Sequence, residues 1–179
     1  MKWCTFFFAV LPIAALGQTA QPDKVGPMIA NLEAGIICAP PTVGTSPAPN
    51  TIAGTTHLIS VEPDFVSTNR RVPAVLGIGF GVKSQARNPA GIPEVTMTIS
   101  HPEMGKTNAT SQSYATRISG ESPSLTFYQF DFNYELVEGF WQMEASQGGT
   151  VIYRTTFEVV APSEVPELAS ICGFEDLLS

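Results

Sequence analysis

Leu125-Thr126-Phe127-Tyr128-Gln129-Phe130-Asp131-Phe132-Asn133-Tyr134-Glu135 decides the fold class. Tyr128, Phe130, Phe132 and Tyr134 fall on one parity, and Gln129, Asp131, Asn133 and Glu135 on the other. A period of two marks a strand with one buried and one wetted face. The same period recurs outward from this stretch. Downstream, residues 140–146 put Trp141, Met143 and Ala145 inward, and residues 150–160 put Val151, Tyr153, Phe157 and Val159 on one side. Upstream, residues 94–101 alternate Val95, Met97 and Ile99 against Thr96, Thr98 and Ser100. Residues 112–118 continue with Tyr114, Thr116 and Ile118. Residues 75–82 set Leu76, Ile78, Phe80 and Val82 against Gly77, Gly79 and Gly81. Residues 57–62 and the apolar run 33–38 complete the set.

Turn residues punctuate these runs, as at Asn88-Pro89-Ala90-Gly91, Glu138-Gly139 and Gln147-Gly148-Gly149. Seven or eight strands at this spacing predict an all-β chain, an immunoglobulin-like antiparallel β-sandwich. A short C-terminal helix is expected within residues 166–178. The expected core is Phe130, Phe132, Trp141 and Phe157.

Composition narrows the function. The chain has 179 residues, room for one domain. Its net charge of −7, with 9 Lys plus Arg, supplies no basic cluster to grip a phosphate backbone, so no nucleic-acid partner is expected. Two histidines are too few for a multi-histidine metal cage. Fifteen Gly and fifteen Pro speak for turns and against a helical bundle.

The N-terminus reads as an address. Met1-Lys2 is positive, Trp3 to Leu16 runs uncharged, and Ala15-Leu16-Gly17 brings small residues to a cut between Gly17 and Gln18. A second cut is available after Ala20. The apolar run falls short of the roughly 20 residues that cross a bilayer, so residues 1–17 are expected to be a cleaved signal peptide and the mature chain to span no membrane. Cleavage removes Lys2 and Cys4, taking the charge from −7 to −8 and leaving Cys38 and Cys172. An even cysteine count in an exported protein suggests one disulfide, with two unpaired buried thiols as the competing reading. The bridge would tie the start of the fold to its tail, worth roughly 5 kcal/mol by chain entropy.

Residues 18–31 show no period and are expected to be a mobile leader, residues 32–162 the sandwich and 163–179 a tail. Residues 39–56 carry Pro40, Pro41, Pro47 and Pro49 and are expected to form an extended loop, since proline removes ladder donors.

Each candidate for chemistry has a plainer counterpart. Gly77, Gly79 and Gly81 alternate within an apolar strand, with no helix and no directly following lysine, so they are not a phosphate loop. They flatten one face, either because a neighbouring ring lies on it or because a partner docks there. Met97, His101 and Met104 form a soft-ligand set of the kind that binds Cu(I), or a core methionine beside a rim histidine. The aromatic ladder could stack sugars, but its alternation with polar residues assigns it to a core. Nucleophile motifs such as G-x-S-x-G, S-x-x-K and H-E-x-x-H are absent, and nothing around His57 or His101 recommends either for a triad. Asn108-Ala109-Thr110 fits the N-glycosylation acceptor pattern, relevant only in a eukaryotic secretory host.

Four stretches together resemble a known family. They are Val72-Pro73-Ala74-Val75-Leu76-Gly77-Ile78-Gly79-Phe80-Gly81-Val82, Val95-Thr96-Met97-Thr98-Ile99-Ser100-His101-Pro102, Phe127-Tyr128-Gln129-Phe130-Asp131 and Tyr134-Glu135-Leu136-Val137-Glu138-Gly139-Phe140-Trp141-Gln142-Met143-Glu144. Their order is similar to the bacterial domain-of-unknown-function family 3859, over roughly residues 33–160. That resemblance implies an exported β-sandwich and no activity. The functional expectation is therefore an exported, periplasmic or extracellular module that binds a protein or an envelope polymer without catalysis or cofactor. Gly77, Gly79 and Gly81 and the 39–56 loop are its expected contact surfaces. The alternative is a copper-binding protein using His101, Met97 and Met104.

Overall fold

The structure is a computed structural model that describes residues 20–38 and 42–178. The expected signal peptide, 1–17, lies outside the described residues. Among the described residues, eleven strands are β1 (Lys24–Val25), β2 (Ile29–Cys38), β3 (Thr42–Pro47), β4 (Thr55–Ile59), β5 (Arg71–Pro73), β6 (Ile78–Ala86), β7 (Ile92–Met104), β8 (Ala109–Ile118), β9 (Ser124–Gln129), β10 (Gly139–Gln147) and β11 (Thr150–Val160). One short helix, α1 (Ala169–Cys172), follows. The larger sheet runs β1-β11-β10-β7-β8, with β5 parallel to β11. The smaller is β2-β6-β9, and β3-β4 form a separate hairpin. All pairings but β5–β11 are antiparallel.

The two sheets meet through rings. Phe80 of β6 lies 4.8 Å from Phe157 of β11 and 5.8 Å from Trp141 of β10, centroid to centroid. Tyr128 of β9 and the following Phe130 lie 5.0 and 5.7 Å from Trp141. Phe130, Trp141 and Phe157 are buried, and the indole N–H donates to the Val137 carbonyl at 3.0 Å, so the large apolar ring enters the core with its one polar group satisfied. Inward positions of β7 and β10 alternate as their sequences do: Val95, Met97 and Ile99 opposite Met143 and Ala145.

Phe132 is not in the core. It is 47% exposed, and Tyr134 beside it is 38% exposed. Strand β9 ends at Gln129, and a 3-10 turn over Asn133–Glu135 reverses the parity, so Glu135 is buried where a polar outward residue was expected. The cause is the Glu135 carboxylate. Its Oε2 accepts from the backbone N–H groups of Asp131 and Phe132 at 2.7 and 2.9 Å, offering them partners that a ladder would otherwise supply.

Three of the eleven strands were not expected, and each is short or carries proline. In the supposed leader, Lys24 and Val25 pair with Arg154 and Tyr153, and Ile29 is already buried. Asp23 fastens this segment by accepting from Thr156 N–H at 2.8 Å and pairing with Arg70. The expected 39–56 loop contains β3, which pairs with β4 in spite of Pro47 because it is a two-stranded edge element. Strand β5 is only three residues long.

The tail winds back onto the sandwich through Val165, Leu168, Ala169 and Phe174, all buried. Gly173, at φ 74, ends α1 in the left-handed conformation. Cys172 at the end of α1 is bonded to Cys38 at the end of β2, across a sequence separation of 134.

Candidate functional site

The predicted contact surface on the glycines is not a surface. Gly79 and Gly81 are buried, and Gly77 lies in the turn before β6. A Cβ on Gly81 would come within 2.3 Å of the Thr126 carbonyl oxygen and 2.7 Å of Phe127 Cβ. A Cβ on Gly35, the partner of Gly81 across the ladder, would come within 2.5 Å of the Phe65 ring. The flat face therefore exists to let rings and backbone lie on it. The segment carrying Phe65 is held by Val66 N–H to the Ile36 carbonyl and Ile36 N–H to the Ser67 carbonyl, both on the free edge of β2. Lys83 adds a bridge to Glu62 at 3.1 Å and stands over the Phe65 ring at 5.4 Å.

His101 is not on a rim. It is fully buried, with Met97 and Met104 buried as well. Its ring packs on Trp141 at 4.9 Å, and Nδ1–H donates to the Pro102 carbonyl at 2.8 Å. A carbonyl can only accept, so in the neutral ring Nε2 is the bare nitrogen, and it has no partner. Burial lowers the pKa of His101 below its ordinary value, and the hydrogen bond to Pro102 opposes that only in part. Among the described residues, no three His, Cys, Asp or Glu side chains stand close enough to hold a metal ion.

The notable opening lies elsewhere. The two sheets part where β8 edges one and β9 edges the other, and the β3-β4 hairpin covers the gap. Beneath it is a cavity of about 390 Å³. Thr55, Thr56 and His57 come from the hairpin, Gln112 and Thr116 from β8, and Gln129 from β9. Sequence reasoning missed this cleft because it joins segments far apart in the chain. One signal was present: Gln112 shares the inward parity of Ile118 on β8, a polar residue at a core position.

Few ties hold the hairpin and its loop over the cleft. His57 Nε2 meets Asp131 Oδ2 at 2.5 Å. Ser113 N–H donates to the Asn50 carbonyl at 3.2 Å, and Ile52 N–H to Gln112 Oε1 at 3.2 Å. The last bond fixes the Gln112 amide, turning Nε2 away from Ile52. Likewise Gln129 Nε2 donates to Asp131 Oδ1 at 2.9 Å, which leaves Oε1 as the free atom. Gln112 Nε2, Gln129 Oε1 and His57 Nδ1 are buried and make no hydrogen bond of good geometry, although the Gln112 amide lies near the Tyr128 hydroxyl.

The charges at the cleft are satisfied from within. Glu135 accepts from Tyr128 Oη at 2.6 Å as well as from the two backbone groups. Burial raises the Tyr128 pKa above the ordinary phenol value, and the neighbouring Glu135 charge raises it further. Among the described residues, no hydroxyl hydrogen-bonds to His57 Nδ1. The cleft offers hydrogen-bond donors and acceptors from Thr, Gln and His side chains.

Comparison with known proteins agrees with this architecture. A search of curated proteins finds no match. Among solved structures, an immunoglobulin-like protein from Pseudomonas aeruginosa superposes with a TM-score of 0.52 at 19% identity, covering 80% of this chain and 100% of the other. At that identity the likeness concerns the fold alone, and it makes the chain an immunoglobulin-like β-sandwich. The family described as "Domain of unknown function (DUF3859)" matches residues 26–159, from the turn before β2 to the penultimate residue of β11. As the match runs through strands β2 to β10 and nearly all of β11, well over half of the chain, the chain belongs to this family of unknown function.

Proposed function

We propose that the protein is an exported, non-catalytic binding module whose ligand site is the cleft beneath the β3-β4 hairpin. The observation that carries this reading is the trio of buried, unpartnered polar atoms, Gln112 Nε2, Gln129 Oε1 and His57 Nδ1, around one cavity. Buried polar groups in folded proteins are nearly always paired, and an unpaired one costs about 1–3 kcal/mol. Three at one opening suit a ligand that supplies the missing partners. Export is supported by the Lys2–apolar–small-residue order at the N-terminus and by the Cys38–Cys172 bond, which belongs to an oxidising compartment. No helix among the described residues is long and apolar enough to cross a membrane.

Hydrogen–deuterium exchange on the purified protein, with and without isolated cell-envelope polymer or envelope protein extract, tests the binding role. Protection is expected in residues 42–59, 109–118 and 124–129. Unchanged exchange there with both preparations overturns the assignment to this cleft. N-terminal mass spectrometry of the protein from its native host should find Gln18 or Gln21 first; an intact Met1 in the soluble fraction refutes cleavage.

The copper alternative rests on the bare, buried His101 Nε2. Packing on Trp141 accounts for the ring without a metal, and the module is preferred. Titration of Cu(I) into wild type and His101→Ala decides between them: sub-micromolar binding lost in the variant would favour copper.

A further inference from the structure

We propose that the cleft takes the end of a neutral oligosaccharide bearing an acetamido group. This deepens the binding-module reading and rests on it.

Charge excludes ionic ligands first. The cavity lining holds no Lys or Arg. Asp131 is occupied by His57 and Gln129, and Glu135 by three donors. Among the described lining residues a phosphate or carboxylate would find no Lys or Arg, and a cation would find no uncommitted carboxylate.

The unpaired atoms then define what is wanted. Gln112 Nε2 is a donor and Gln129 Oε1 an acceptor, each fixed in sense by the bond its amide already makes. A secondary amide answers both, its carbonyl to Gln112 and its N–H to Gln129. Ile99, Phe127 and Leu125 line the same cavity and give its methyl an apolar contact. His57 Nε2 is held by Asp131, which leaves Nδ1, without a partner of its own, for a ligand hydroxyl. The hydroxyls of Thr55, Thr56 and Thr116 add groups that both donate and accept.

A flat ring waits at the opening. Phe132 lines the cleft yet is 47% exposed, and Tyr134 stacks on it at 5.3 Å and 6°. The stack fixes one ring face and leaves the other for the C–H face of a sugar. The two ladder residues that the 3-10 turn expels thus supply an exposed aromatic stack beside the cleft. The cavity of about 390 Å³ falls within the range of small-ligand sites, about 300–1,000 Å³, and suits a chain end rather than a polymer's length. An extended peptide is the weaker occupant. It would need a run of free backbone groups on the β8 edge, where Ser113 N–H is already given to Asn50.

Isothermal titration and NMR shift mapping with three probes test this: tri-N-acetylchitotriose, maltotriose, and a capped neutral tripeptide. The acetylated sugar should bind, moving signals in residues 112–116 and 125–129, at least tenfold tighter than maltotriose. Phe132→Ala and Gln129→Ala should each weaken it at least tenfold while keeping the wild-type melting transition within a few degrees. Equal binding of maltotriose, equal affinity in both variants, or no binding of the acetylated sugar at millimolar concentration overturns the proposal. Tripeptide binding at the same residues would refute the sugar but keep the module. Silence from all three probes, together with unchanged exchange in the presence of envelope material, would remove both.

Discussion

The Tyr128 hydroxyl donates to the Glu135 carboxylate at 2.6 Å, a buried bond between a strand and the turn that ends it. Both residues also wall the cleft, so the bond sets its floor. Glu135→Ala leaves the phenol and two backbone N–H groups without their acceptor. Each buried unpaired group costs about 1–3 kcal/mol, so the variant should lose about 3 kcal/mol or more in urea unfolding. Tyr128→Phe removes one donor from a carboxylate that keeps two, and should lose less. Its pH profile should also differ. The phenol is held protonated above its ordinary pKa, so the unfolded chain binds fewer protons once pH passes about 10. Wild-type stability therefore falls there through this group, and Tyr128→Phe should lack that portion. A smaller loss in Glu135→Ala than in Tyr128→Phe would reject the capping role.

Gly81 tests the covered flat face. A methyl at this position meets the Thr126 carbonyl oxygen at 2.3 Å and Phe127 Cβ at 2.7 Å, backbone and near-backbone atoms that cannot swing away. Gly81→Ala should destabilise by about 2 kcal/mol or more, in the upper part of the range for overpacking. Gly79→Ala meets its nearest atom at 3.0 Å and should cost less. Equal, negligible effects on the denaturation midpoint would mean that Phe127 and β9 do not lie where described, and would restore the glycines as an open surface.

His101 gives a pH dependence of opposite sense to Tyr128. Its pKa is lowered by burial, so below about pH 6.5 the unfolded chain takes up a proton that the folded chain refuses. Stability is present above that pH and is lost as pH falls toward the lowered folded value, by at most about 1.4 kcal/mol per pH unit. His101→Phe keeps a ring against Trp141 and has no proton to gain. The stability difference, wild type minus variant, should therefore shrink or reverse between pH 7 and pH 5. A difference that is flat across this interval would place the imidazole in contact with water.

The alternation in β7, β10 and β11 was legible because each of those strands carries its own record of one wet and one dry face. At Phe132 and Tyr134 the same record misleads. Alternation continues two steps past the last pairing, and the strand is stopped by Glu135, whose partners lie three and four residues back. Pro47 argues against a strand locally, yet β3 needs only one neighbour, and its pairing with β4 depends on a hairpin closed by Ala48 to Gly54. Gly79 and Gly81 announce a flat face but not its cover: Thr126 and Phe127 close on Gly81, and Phe65, from a segment without period, closes on Gly35 across the ladder. The cleft was hidden for a similar reason. Threonine on a strand reads as ordinary β propensity. Only the fold places Thr56, Thr116 and Gln129 around one space.

The Cys38–Cys172 bond makes the last prediction. It joins the end of β2 to the end of α1, and the tail it anchors is independently docked by Val165, Leu168 and Phe174. Two contributions should therefore separate. The link mainly restricts the unfolded chain, and for a separation of 134 the entropy estimate is roughly 5 kcal/mol, of which real bridges often deliver less. The apolar contacts act on the folded tail and survive reduction. The Cys38→Ser, Cys172→Ser double variant should thus fold with the tail in place but unfold at lower denaturant. Hydrogen exchange in residues 166–178 should rise only modestly, since those contacts remain. Protein kept from reductant should show neither thiol open to alkylation after unfolding. Two reactive thiols in that experiment, or a variant as stable as wild type, would mean that the tail is held by packing alone and that the bond contributes nothing to the fold.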